Sequence, residues 1–79
     1  MTEIEARVIL ENYRETDADT GEQYRHKVIR CVGPSYDGFI FECSSNGYFD
    51  ITTLTFVECA NVSYEVAVYP DGTVLCVPQ

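Results

Sequence analysis

Turn signals punctuate this chain at intervals too short for long helices. "GPSYDG" at 33–38, Asn46-Gly47 and Pro70-Asp71-Gly72 separate runs dense in β-branched and aromatic residues: "FIFEC" at 39–43, "YFDITTLTFVEC" at 48–59, "SYEVAVY" at 63–69 and "TVLCVP" at 73–78. Such residues fit a half-buried pleated surface, while glycine, proline and Asn-Gly supply the backbone angles of tight turns. The clearest element is the hairpin of 63–69 with 73–78, closed by Pro-Asp-Gly. Nearer the N-terminus, "EIEARVILEN" at 3–12 alternates, with Ile4, Ala6, Val8 and Leu10 on one side. Period two predicts a strand. A polar loop follows over 13–23, and "YRHKVIRCV" at 24–32 resumes extended character. Antiparallel pairing of these two strands would set acids against bases, each pair worth about 0.2–1 kcal/mol.

The expectation is one acidic all-β domain over residues 1–79, an antiparallel barrel or sandwich of about five to six strands. A short helix over 50–58, with Asp50 as its N-cap, is the competing reading for part of the third run. A chain of 79 residues buries roughly 60% of its unfolded surface, enough for one core and not two.

Cys31, Cys43, Cys59 and Cys76 pose the main chemical question. Structural zinc sites draw ligands in close pairs, and no such pair exists here; a disulfide framework needs an oxidising compartment. The strand period places Cys43 with Phe39 and Phe41, Cys59 with Val57, Cys31 with Ile29 and Cys76 with Val74. Each thiol then lies on the more apolar side of its strand, and core filling is the preferred reading. His26, between Arg25 and Lys27, reads as a surface residue. No nucleophile elbow, phosphate loop or dinucleotide fingerprint is present, so catalysis is not expected. Asp17 and Asp19 offer hard oxygens two apart, but glycine and the closing glutamate of a calcium loop are missing. No cofactor or metal is expected.

Charge carries the functional reading. Lys and Arg total 5 against 13 Asp and Glu, a net charge of −8. All five bases lie at or before Arg30, whereas Asp37, Glu42, Asp50, Glu58, Glu65 and Asp71 follow with nothing to neutralise them. Such a surface repels nucleic acid and anionic membranes and attracts basic proteins. The N-terminal stretch lacks the basic and apolar regions of a signal peptide, and no apolar run is long enough to span a bilayer, which reads as cytoplasmic.

Aromatic anchors in an acidic field suit protein recognition. The expected contacts are Tyr36, Asp37, Glu42, Tyr48, Asp50, Glu58 and Glu65, with Asp17, Asp19 and Glu22 as a second patch. In size and charge the chain resembles the small inhibitors that phages encode against restriction or CRISPR complexes. The resemblance implies a non-enzymatic nucleic-acid mimic that inhibits or regulates a partner with a basic nucleic-acid-binding surface. The alternatives are an assembly subunit using exposed strand edges, or a thiol-dependent metal or redox module.

Overall fold

The hairpin closed by Pro70-Asp71-Gly72 forms as its sequence dictates. In the computed structural model, which describes residues 1–77, strand β5 (Thr55–Val68) turns into β6 (Val74–Cys76) through this segment. Tyr69 N–H donates to the Thr73 carbonyl at 3.0 Å, and the Asp71 carboxylate accepts from Thr73 N–H at 2.9 Å. The last residue of the expected strand, Pro78, lies outside the described residues.

β5 pairs on its other side with β4 (Gly38–Asp50), and β4 with β3 (Lys27–Ser35), giving an antiparallel sheet of order β3-β4-β5-β6. A second, two-stranded sheet joins β1 (Glu15–Thr16) and β2 (Gln23–Tyr24). The chain is mostly β and antiparallel, as expected, but the sheet does not close into a barrel.

The stretch expected as the first strand is instead helix α1 (Glu3–Asn12). A capping box starts it: Glu5 N–H donates to Thr2 Oγ1 and Thr2 N–H to Glu5 Oε1, both at 3.1 Å. Ala6 and Leu10, one turn apart, are fully buried, whereas Ile4 and Val8, alternating partners in the strand reading, are exposed. The helix seals one face of the sheet, packing on Phe41, Cys43, Val66 and Val68. Covering that apolar face decides between two periodicities that this short segment satisfies equally. The expected pairing of acidic and basic strands is lost with it. Arg30 finds its acid on β4 instead, with Nε 3.3 Å from Glu42 Oε1.

One expected turn moves, and another falls within its expected segment. Asn46-Gly47 sits inside β4, at a register shift between Ser45 and Gly47, and the reversal comes at residues 51–54. There Asp50 accepts from Thr52 N–H at 2.8 Å, and Leu54 N–H donates to the Asp50 carbonyl at 2.7 Å. Leu54, at φ 57°, ends this single turn, which replaces the competing helix and splits the expected 48–59 strand. At the other end a two-residue turn, Tyr36-Asp37, joins Ser35 to its partner Gly38.

β3 is bulged at Val28/Arg30 and again at Cys31/Gly33, so Ile29 and Val32 drop out of the alternation. Cys31 thereby shares the helix side with Val28 rather than with Ile29. Among the cysteines only Cys43 is fully buried; Cys31 is half-buried, and Cys59 and Cys76 are exposed, correcting the core reading for those two. Cys59 belongs to the segment 59–61 opposite the β4 irregularity, where strict alternation fails.

All four thiols are free. Burial pushes the Cys43 thiol up to about 11. A thiol-specific reagent at about pH 8 should modify Cys59 rapidly and Cys43 only on unfolding, because the thiolate is the reacting species. Equal native rates at the two positions would contradict this core.

Candidate partner-binding site

The β1–β2 arm is held against the far end of the β4–β5 hairpin by one carboxylate. Asp17 Oδ1 accepts from Asp19 N–H at 2.8 Å and Thr20 N–H at 3.0 Å, which folds the loop. Its Oδ2 accepts from Phe56 N–H at 2.8 Å, and Ala18 N–H donates to the Leu54 carbonyl at 2.8 Å. The backbone bond from Phe56, followed by that from Thr20, holds the Asp17 carboxyl below its ordinary value of 3.8. A depressed folded-state value means stability that is full above the ordinary value and lost as pH falls through the lower one. Urea midpoints should therefore drop below about pH 4, and less steeply in Asp17→Asn than in the parent. Identical slopes in the two proteins would show that the clasp does not titrate with folding.

This clasp lays Tyr24 on Phe56, ring centroids 4.2 Å apart and 11° from parallel. The Tyr24 hydroxyl donates to Glu22 Oε2 at 2.7 Å, and that bond, then burial, pushes the phenol up to about 12. Further along, His26 is not the surface residue its basic neighbours suggest: its side chain is 10% exposed. It stacks on Tyr13 with centroids 5.8 Å apart, and its Nδ1 lies 2.5 Å from the Tyr64 hydroxyl. Burial raises the Tyr64 phenol well above its usual range. On the other side of the ring, His26 Nε2 lies 3.7 Å from Glu15 Oε1.

Between these groups lies a groove of about 390 Å³. Tyr24, Tyr48, Phe49, Phe56 and Tyr64 line it, with Glu15, His26 and Cys76 as polar lining and Ile51 and Arg25 also contributing. Tyr48 and Ile51 are strongly exposed beside it. Glu22, Asp17 and Glu58 are close enough to Tyr24 for their charges to raise its phenol.

The residues singled out from sequence fall into three places. Tyr36, 97% exposed and at φ 53°, and the exposed Asp37 occupy the turn before β4. At the other end of β4, Tyr48 lines the groove and Glu22 and Glu58 lie near Tyr24, while Asp50 opens the turn at 51–54 and Asp19 sits in the β1–β2 loop. Glu42 and Glu65 face each other across β4 and β5, on the sheet side away from the helix, where Arg30 neutralises Glu42. Asp17, 5% exposed with both oxygens engaged, organises the site rather than offering a contact.

Sequence reasoning missed Glu15, Tyr24, His26, Phe49, Phe56 and Tyr64. Tyr24 and His26, two apart in an extended run, carried the signal of a shared side. Phe56 and Tyr64, which they meet across the fold, lie more than thirty residues away and leave no local trace.

The chain matches no protein-family model, no curated protein and no solved structure. Among the described residues, no helix is long and apolar enough to cross a membrane, and no group of three or more His, Cys, Asp or Glu side chains is placed to hold a metal ion.

Proposed function

We propose that this protein is a small non-enzymatic acidic binding module that occupies a basic, nucleic-acid-binding surface of a partner protein. It inhibits or regulates that partner as a nucleic-acid mimic; a host defence complex of the CRISPR or restriction type is the kind of target meant, and a phage the kind of source. The observation that carries this reading is that most of its few bases are tied to groups of the chain itself. Arg7 lies 5.8 Å over the Phe41 ring, Arg14 donates to the carbonyls of Glu11 and Tyr13, and Arg30 pairs with Glu42. Three of the five cationic side chains are thus engaged within the chain, while Asp19, Glu22, Asp37 and Glu58 are exposed. An acidic surface freed of its own counter-charges steers toward a basic one and excludes nucleic acid from it.

Exposed aromatic groups support direct contact. Tyr36 is a bulky residue held at positive φ with almost no packing in return, the kind of local cost that persists for a role outside the fold.

Assembly through strand edges is the second reading. The outer edge of β3 is broken by two bulges and Pro34, but β6 pairs with Val66–Val68 alone and leaves the longer part of β5, from Thr55 to Tyr64, without a strand partner on that side among the described residues.

A pull-down from bacterial lysate, at low and high salt with and without added DNA, tests the proposal. A nucleic-acid-binding protein retained at low salt and displaced by DNA is the expected result. Recovery of this chain alone, as a concentration-dependent oligomer, would favour assembly instead.

A further inference from the structure

Resting on the reading above, we infer that the groove between the β1–β2 arm and the β4–β5 hairpin receives an arginine side chain of the basic partner. At about 390 Å³ the groove lies toward the small end of ligand sites, which run from roughly 300 to 1,000 Å³. Five aromatic residues line it, and a guanidinium, planar and weakly hydrated, is the cation that stacks best on such rings. Glu15 supplies the charge. Its side chain is only 25% exposed, and its sole ion-pair contact among the described residues is His26 Nε2 at 3.7 Å, beyond hydrogen-bond length. A carboxylate held among rings with free acceptor capacity suits a forked donor.

Charge complementarity selects the occupant. The carboxylates of Glu22 and Glu58 flank Tyr24, while the lining's bases are the exposed Arg25 and the imidazole of His26, which already faces Glu15. A phosphate or carboxylate ligand would meet the Glu15 carboxylate, and the one permanent cation of the lining, Arg25, is exposed. A lysine ammonium satisfies the charge but gains less from the rings, because it is compact and strongly hydrated.

The test is a titration of isotope-labelled protein with a short arginine peptide and with a lysine peptide of equal length, followed by nuclear magnetic resonance. Arginine should bind about threefold or more tighter, shifting the amides of Glu15, Tyr24, Phe49 and Phe56 first. Glu15→Gln should weaken the arginine peptide by about tenfold and leave the lysine peptide less affected. Tyr48→Ala, at an exposed rim position that the fold does not need, should weaken arginine binding while circular dichroism stays unchanged.

Equal affinities with shifts spread over all exposed acids would overturn the arginine groove while leaving the acidic binding module intact. So would a basic partner that is retained in the pull-down with undiminished affinity by both variants. If neither peptide binds and no basic protein is retained, the inference and the reading beneath it fall together. Tighter binding of an uncharged aromatic compound than of the arginine peptide would assign the groove to a neutral ligand instead.

Discussion

Phe41→Ala is expected to leave the chain unfolded at room temperature. Phe41 is the largest of the fully buried side chains, paired in register with Cys31 on β3 and Val66 on β5 and packed in the same cluster as Ala6 and Leu10. It therefore joins the sheet to helix α1. Truncating a buried phenylalanine costs about 3–5 kcal/mol, from lost transfer energy and from the cavity left behind. A core in a chain of this size supplies on the order of 3–5 kcal/mol in total, so the loss matches the whole margin. Leucine at the same position fills much of the space and should fold with a lowered urea midpoint. A Phe41→Ala protein with native circular dichroism and an unshifted midpoint would mean that the helix does not seal this face.

Gly47→Val should be nearly as damaging, and at the other end of the molecule. A Cβ at Gly47 would run into the Val57 carbonyl oxygen and lie 2.8 Å from Phe56 Cζ, so backbone as well as ring would have to move. Overpacking of this kind costs roughly 1–3 kcal/mol or more when the obstacle is main chain. The displaced Phe56 carries both the Tyr24 stack and the amide that Asp17 holds, so the β1–β2 arm should detach with it. Hydrogen exchange would report that detachment as lost protection at Phe56 and Asp17, larger than the change at Val66. Unchanged protection at Phe56 would show that the hairpin absorbs the side chain without disturbing the groove.

Gly47 also shows why the sequence was only partly legible. Asn46-Gly47 carries the strongest local hairpin signature in the chain, yet glycine is required there for close approach of β5 rather than for a turn. The two functions look alike in sequence. Pro70-Asp71-Gly72 was readable because its geometry is set within five residues by Tyr69, Asp71 and Thr73. The helix was misread although its capping box, Thr2 with Glu5, is a local signal; the alternation of Ile4, Ala6, Val8 and Leu10 outweighed it. What settled the matter was the need of Phe41 and Val66 for a cover, a tertiary requirement no ten-residue window contains. The exposed acids were legible from composition alone. Their grouping was not, because it depends on the bond from Phe56 to Asp17, which ties strand β5 to the β1–β2 loop 39 residues away.

The central claim, that an acidic and aromatic end of this protein occupies a basic surface in place of nucleic acid, is tested most directly with a captured partner. Its affinity for this chain should be measured across a range of salt concentrations, for the parent and for the Glu22→Lys/Glu58→Lys double variant, with DNA as competitor. The account predicts affinity that falls steeply with salt, a double variant weakened by about a hundredfold at low salt, and DNA that competes for the same surface. A salt-independent affinity that the double variant retains, with DNA bound simultaneously, would contradict it.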